Sequence, residues 1–465
     1  MEIGQTRMYH LPPIKVLNDP VRPVKGKYEA SAMLTRTLAE FGVKSEVTGV
    51  QRGPSITRYE LRPGVGVKIS RIQSLADNLA LAMAVPSIRI QPIEGRSALG
   101  VEIPNAVKDV VTLSQILPRA LNREYALPMA LGIDVDGNPV IADLTKMPHL
   151  LVAGATGSGK SVCLNNIIMT LLTVVTPDYL ELVMIDPKRV ELTPYNGIPH
   201  MRGEVITNAE DAAPVLDSLI AEMERRSILH QQARVRTIDE YNAKSSEPMR
   251  YIVVVIDELA DLMMIAKKEV ESSLCRLAAR SRAVGIHLVV ATQRPSVDVV
   301  TGLLKTNIPS RLAFAVASDV DSRTILDQGG AENLLGRGDM LFLPISAARP
   351  IRAQAALVTT PEIERVVDIW KAQGKPRDAM QITKQNDEAF VRKGDSLLDR
   401  AISYVRERNK ASVAELKEHL SVGHARAKKI MVQLEEAGVV GPDQGPIARV
   451  VYPIETKDEQ GEDES

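Results

Sequence analysis

Gly154, Gly159, Lys160 and Ser161 stand in the order G-x-x-x-x-G-K-S, between the apolar run HLLVA and the apolar-rich VCLNNIIMTLL. A loop with that spacing between a strand and a helix cradles phosphate. Its residues, Gly154, Ala155, Thr156, Gly157, Ser158, Gly159, Lys160 and Ser161, can turn successive backbone N–H groups inward because the glycines lack a Cβ. Lys160 has the reach for the β and γ oxygens of ATP, and the Ser161 hydroxyl suits Mg²⁺. The helix that follows adds its positive N-terminal end.

The second chemical element is YIVVVIDELADLMM, where an apolar strand runs into Asp257 and Glu258. Acids at the carboxyl end of a strand in an open α/β sheet sit where such sheets bind ligands. Asp257 is expected to hold the metal, and Glu258 to polarise an attacking water as a general base. The alternative for such a pair is capping of the next helix. In IHLVVATQRP, Gln293 follows a strand and is placed to sense a γ-phosphate or to position the water; a polar strand end is the plainer reading. Arg280 and Arg282, in AARSRAVG, lie on a helix end at a domain edge. An arginine there can stabilise transition-state charge in a neighbouring site, or be an ordinary exposed side chain.

The elements that must position these groups follow from the hydrophobic pattern. HLLVA, LELVMID, YIVVVID, IHLVVAT, RLAFAV and DMLFL are short β-rich runs separated by helical segments. They predict a mostly parallel sheet covered on both faces, over residues 106–372. Before it, residues 1–105 read as a small accessory α/β domain. There SITRYELR alternates, with Thr57, Tyr59 and Leu61 on one face, and RIQSLADNLALAMAV carries Ile72, Leu75, Leu79 and Ala82 at helical spacing. Residues 373–395 read as a polar linker, 396–455 as a last compact unit and 456–465 as an acidic tail.

That last unit reads as three helices, SLLDRAISYVRERNK, SVAELKEHL and HARAKKIMVQLEEAG, and a hairpin through GPDQGP. This is the pattern of a winged helix, whose last helix enters the major groove of DNA. Ala427, Ile430, Met431 and Leu434 form its apolar face; Arg426, Lys429 and Gln433, with Lys428 nearby, form the opposite one. Arginine reads guanine, glutamine reads adenine and lysine grips phosphate, although a basic face is also found as solvated surface or as a protein contact.

Composition bounds the rest. A chain of 465 residues with 45% hydrophobic and 25% charged residues is an ordinary globular chain of two or three domains. No run approaches the roughly 20 apolar residues that span a bilayer, and the first residues lack a secretory pattern, so a cytoplasmic location is expected. The two cysteines, Cys163 and Cys275, make no metal cage and are expected as reduced thiols in helices. A net charge of −1 counts against a small DNA-coating protein but not against a ring whose positive charge lines a channel. Aromatics at 3% argue against a preference for single strands.

Taken in order, GATGSGKSVCLNNII, MIDPKRVEL, NGIPHM, VIDELADLMM, ATQRPSVDVVTGLLKTNIPSR and DSRTILDQGGAENLLGRGDMLFLP resemble the FtsK/SpoIIIE DNA translocases over nearly the whole chain. The resemblance implies a RecA-like P-loop ATPase motor domain, a homo-hexameric ring around double-stranded DNA, and hydrolysis of ATP at subunit boundaries. It also implies movement of chromosomal DNA at division or sporulation septa, with a membrane-bound or division-site partner. By the same match Lys160, Ser161, Asp257 and Glu258 are the hydrolytic set, and Arg282 resembles the family's trans-acting arginine. QRPSVDVVTG and SDVDSRT resemble its pore loops, which makes Arg294, Lys305 and Arg323 candidates for the DNA backbone. The chain departs from the family in lacking the usual membrane-spanning segment and in carrying Asp319 where some relatives have lysine. It also has Ala425 and Lys429 where many have asparagine and arginine. The expectation is an ATP-driven duplex pump loaded or oriented by its winged helix. Two rivals are a ring ATPase that moves protein in secretion and a nucleotide-gated DNA-binding regulator that does not move.

Overall fold

The computed structural model describes residues 9–21, 30–93, 95–122, 124–376, 396–408, 410–420, 424–442 and 449–452. Most of the expected linker and all of the acidic tail lie outside them. The chain divides into two units, residues 1–382 and 383–465.

The first unit opens with a small layered element. Its helices are α1 (Ala30–Glu40), α2 (Ile69–Gln73) and α3 (Ala76–Ala82). Strands β1 (Ser45–Arg52), β2 (Ile56–Pro63), β3 (Arg89–Pro92) and β4 (Leu99–Pro104) form an antiparallel sheet in the order β1-β2-β4-β3. The alternation read in β2 is present: Thr57, Tyr59 and Leu61 are buried, while Arg62 is exposed. The single helix expected after it is two. Ser74 Oγ donates to Arg71 O at 2.9 Å, and a side chain that bonds its own backbone in this way competes with continuation of the helix. Within the expected block 1–105, residues 9–18 pack on the large domain. Leu17 is buried in that domain's core, the Tyr9 ring lies 6.1 Å from that of Trp370, and Asn18 N donates to Glu362 Oε1 at 2.8 Å. One leucine and one tyrosine among prolines carry no periodic signal, which is why the sequence did not reveal the docking.

The large domain contains α4 (Leu113–Ala120), β5 (Pro128–Asp134), β6 (Pro139–Asp143), β7 (His149–Ala153), α5 (Lys160–Val174) and β8 (Leu180–Ile185). Then follow α6 (Ala212–Ala233), α7 (Ile238–Lys244), β9 (Tyr251–Ile256), α8 (Leu259–Arg280), β10 (Ile286–Thr292), α9 (Gly302–Asn307) and β11 (Ser310–Phe314). It closes with α10 (Asp319–Leu326), β12 (Asp339–Leu343), β13 (Ile351–Ala355) and α11 (Thr360–Gln373). Nine strands make one sheet in the order β6-β5-β13-β12-β11-β7-β10-β9-β8. From β11 to β8 the pairing is parallel, as the apolar runs predict; from β6 to β11 it is antiparallel. The sheet is therefore mixed, a correction to the mostly parallel one expected. Alternate side chains serve two cores: Leu150 and Val152 pack with α5 and α11, and Leu151 with α6 and α8. The outer edge of β8 is occupied. Leu182 N donates to His200 O, Arg202 N to Leu182 O, Ile206 N to Met184 O and Asp186 N to Ile206 O, all at 2.8–2.9 Å.

The second unit contains α12 (Ser396–Arg408), α13 (Val413–His419) and α14 (His424–Glu436), as the pattern predicts. Ser412 caps α13 by accepting from Glu415 N, and Gly438 takes a φ of +65° after α14, the left-handed stop that glycine adopts without strain. Ala427, Ile430, Met431 and Leu434 of α14 are buried against Ala401, Val405 and Leu416. Bridges Ala411↔Arg449 and Val440↔Val451 bring the return of the wing back to the helices. Within this unit Gln433 is half-buried, with Oε1 enclosed and unbonded among the described residues, and Lys428 is exposed. The side chains of Arg426 and Lys429 lie outside the described residues.

Candidate functional site

The apolar strand β7 stops at Ala153, and the loop 154–159 turns the chain into α5. Gly157 and Gly159 have φ of +76° and +119°, which side-chain-bearing residues rarely adopt. Close approach adds to the requirement. A Cβ on Gly154 would stand 2.6 Å from Phe314 Cβ and from Ser158 Oγ, and one on Gly159 would stand 2.7 Å from Gly338 N. Gly338 N in turn donates to Ser158 O at 2.8 Å, so the loop is pinned to the start of β12. Helix α5 is buried along nearly its whole length, which fixes the loop on a rigid base.

Strand β9 delivers Asp257 and Glu258 beside this loop, and both are 1% exposed. Lys160 Nζ donates to Asp257 Oδ1 and to Asp257 O, each at 2.6 Å. Burial pushes the Asp257 carboxyl above its usual range, and the Lys160 ammonium opposes that shift. Glu258 is surrounded by donors: Thr292 Oγ1 at 2.7 Å, Lys188 Nζ at 3.0 Å, Gln293 N at 3.1 Å and Ala260 N at 3.3 Å. The bond from Ala260 N is a helix cap, so the plainer reading of this acid is present together with its proximity to the phosphate loop. Gln293 Oε1 accepts from Thr156 Oγ1 at 3.0 Å, which joins the end of β10 to the loop.

A cavity of about 730 Å³ opens over these groups. The loop from Ala155 to Ser161 lines it on one side, and Gln293, Glu191, Lys108, Arg337 and Gln354 line it elsewhere. Val110, Val111, Ala355 and Leu357 supply an apolar wall. Within the loop, Ser158 Oγ is buried with no hydrogen-bond partner among the described residues and does not line the cavity. Glycines packed too tightly for a Cβ and flanking cations fit a nucleotide polyphosphate. A divalent cation fits less completely. No group of three or more His, Cys, Asp or Glu side chains that could hold a metal ion occurs among the described residues. Ser161 and Asp257 would have to share an Mg²⁺ ion with phosphate oxygens, its common mode of binding. The sequence did not single out Lys188, Glu191, Thr292, Lys108 or Arg337. Lys188 lay within a segment quoted for its resemblance, and only the fold reveals what it touches.

The remaining candidates lie apart from this cluster. Arg282 is exposed at the start of β10, the opposite end of the strand from Gln293, so the fold does not bring it to its own chain's phosphate loop. Arg294 is exposed just beyond β10. Lys305 Nζ pairs with Asp327 Oδ1 at 2.7 Å, and Arg311 shares the same carboxylate. Arg323 is exposed and pairs with Asp319 at 2.7 Å, one turn earlier on α10. Cys163 is buried in α5 and its thiol is pushed up to about 12; Cys275, in α8, is pushed up to about 11. Burial is the main cause of both shifts, as suits unreactive thiols.

Three family models match in chain order: the FtsK alpha domain over residues 11–105, the FtsK/SpoIIIE family over 118–297 and the FtsK gamma domain over 392–453. DNA translocase FtsK of Halalkalibacterium halodurans is 47% identical over 97% of this chain and 60% of its own length. The chain belongs to the FtsK/SpoIIIE family. DNA translocase SpoIIIE of Bacillus subtilis, also of the family, is 47% identical over 96% of the chain and 59% of its own length. The chain thus spans about 60% of the length of the curated relatives it matches. Among solved structures, the conjugation coupling protein TcpA with ATPgS covers 73% of this chain and 99% of its own, with a TM-score of 0.52 at 24% identity. The cytoplasmic domain of the type VII secretion ATPase EccC of Thermomonospora curvata covers 59% of this chain and 36% of its own, with a TM-score of 0.51 at 25% identity. The P-loop motor fold read from the sequence is the fold of the family.

Proposed function

We propose that this chain is the motor and DNA-engaging part of an ATP-dependent double-stranded DNA translocase. The observation that carries the reading is the convergence of Lys160, Asp257, Glu258 and Gln293 on the Gly154–Ser161 loop, in a chain 47% identical to DNA translocases over 97% of its length. In this reading the loop amides and Lys160 hold the phosphates. Ser161 and Asp257 hold Mg²⁺, which supplies charge neutralisation on the phosphate oxygens when bound. Glu258 takes a proton from the attacking water, and Gln293 orients that water. Arg282, on the far end of β10, completes the site of a neighbouring copy in a homo-hexamer. Arg294, Lys305 and Arg323 contact the phosphate backbone of duplex, and the α14 face of Arg426, Lys428, Lys429 and Gln433 loads or orients the motor. The domains of this reading are 1–105, 106–372 and 396–455, joined across 373–395. Its setting is the division or sporulation septum, with a membrane-bound or division-site partner.

A triplex-bearing linear duplex tests track, fuel and movement together. ATP-dependent displacement of the third strand is expected, and hydrolysis should rise when duplex is added. The likeness to the EccC ATPase domains favours a second reading, a ring motor that moves protein. Hydrolysis stimulated by a protein substrate and indifferent to duplex would select that one.

A further inference from the structure

The two oxygens of Glu258 are almost fully engaged, and among the described residues the one full positive charge that donates to them is Lys188. A general base must offer a free lone pair to water. The Glu258 carboxylate meets an ammonium on Oε2, a hydroxyl on Oε1 and the Gln293 amide on both, so that lone pair is withheld. A charge-assisted contact of this kind is stronger than a neutral one and holds the carboxylate oxygen in place.

Lys188 is held to this task by its loop. Asp186, at the end of β8, is completely buried. Its Oδ1 accepts from Lys188 N, and its Oδ2 accepts from Val190 N, Glu191 N and Leu192 N, all at 2.9–3.1 Å. Residues 186–192 are thereby wound around one carboxylate. Three residues beyond Lys188, Glu191 lines the nucleotide cavity and accepts from Asn165 Nδ2 at 3.3 Å. One short, internally braced loop therefore touches the base at Lys188 and the cavity wall at Glu191. The Lys188 side chain is 37% exposed, so its ammonium can leave for solvent, and the buried Glu258 carboxylate then keeps Thr292 Oγ1 and the backbone amides of Ala260 and Gln293 as donors.

We propose that Lys188 is a positioning residue that restrains Glu258, a brake on nucleotide hydrolysis released when the 186–192 loop shifts at the cavity wall. The inference rests on the reading of Glu258 as the general base. A brake predicts that Lys188→Ala raises the duplex-free kcat, where a merely structural bond predicts loss or no change.

The test compares wild type, Lys188→Ala and Lys188→Arg, each as the full chain. Lys188→Ala should raise duplex-free kcat about threefold or more, with the roughly 10²–10⁴-fold contribution of a positioned base as the ceiling, and leave KM nearly unchanged. Lys188→Arg, which keeps a cation within reach, should stay close to wild type. A second readout needs no catalysis: coupling of Glu258 to a small amine by a water-soluble carbodiimide, located by mass spectrometry. Labelling should increase in Lys188→Ala and not in Lys188→Arg. A kcat in Lys188→Ala that is unchanged or lower, or a label at Glu258 that does not increase, overturns the brake. If wild type hydrolyses no nucleotide, the motor reading fails by itself, and the labelling arm still decides whether Lys188 restrains the carboxylate.

Discussion

The two halves of the nine-stranded sheet are built on different principles. The parallel half, β11-β7-β10-β9-β8, is apolar through its thickness, and its polar groups gather at the strand ends: Asp186, Asp257, Glu258 and Gln293. The antiparallel half carries charge inside. Arg352 of β13 is 6% exposed and donates to Asp339 of β12 at 2.7 and 3.1 Å, and to Glu102 of β4 at 2.8 Å. Arg89 of β3 stands 3.8 Å from the same Glu102. One half holds the chemistry; the other fastens the accessory sheet to the domain that performs it. Asp339 follows Gly338, which bonds the phosphate loop, so the fastening ends one residue from the site.

The division is broken first at its chemical end. Glu258→Gln should lower nucleotide hydrolysis by about 10²-fold or more, the contribution of a positioned base, while duplex binding persists. A steady-state assay beside a filter-binding assay reads both. A variant that still hydrolyses near the wild-type rate would move the base elsewhere. At the fastening end, Arg352→Ala removes the guanidinium from the buried Asp339 and leaves Glu102 with Arg89 at 3.8 Å. A loss of about 3–5 kcal/mol in urea unfolding is expected, as when one partner of a buried pair is removed. Nucleotide affinity of the folded fraction should hold. A large fall in affinity with no fall in stability would erase the distinction between the halves.

The parallel half also carries a pH signature away from the site. His287 is held near about 4 and His149 near about 3, mainly by burial, against an ordinary value of 6.5. Both are neutral in the folded chain, while the unfolded chain protonates below 6.5. Stability is therefore full above that value and falls as the pH drops toward 4. Each such histidine contributes a slope of at most about 1.4 kcal/mol per pH unit. His287→Gln should flatten the acid limb of an unfolding-versus-pH curve by one proton, and an unaltered limb would contradict the burial argument. The smallest effect is expected at the seam between the halves. Arg323→Ala removes one phosphate contact of the proposed track, so duplex affinity should weaken equally for all sequences. The slope of log affinity against log salt should drop by about 0.9. A sequence-dependent loss would place Arg323 on base edges.

The same contrast explains what the sequence disclosed. β7, β8 and β9 are apolar-rich runs that lead into Gly154, Asp186 and Asp257, β10 leads into Gln293, and the glycine, lysine and serine spacing after β7 marked the phosphate loop. The three strands that went unmarked, PMALGID, PVIAD and IRAQA, are short and interrupted by Gly132, Asp143, Arg352 or Gln354. β5 is held in the sheet by β13, far along the chain, a partner that no local period reveals. Glu258 and the loop glycines were legible because they follow apolar strands directly in the sequence. Lys188 was not, because a lone lysine in a loop has no pattern until β8 and β9 pair and bring it 3.0 Å from Glu258. In the last unit the apolar stripe of α14 was readable, whereas Gln433, assigned outward by the same wheel, is half-buried with its Oε1 enclosed.

The occupied margin of β8 limits how copies can join. With Leu182 N and O, Met184 O and Asp186 N already bonded to the 198–206 loop, this flank offers an incoming chain few rungs to climb onto. A ring built through this flank must therefore grip side chain to side chain, a joint that can slip and re-form without unpicking either subunit's ladder.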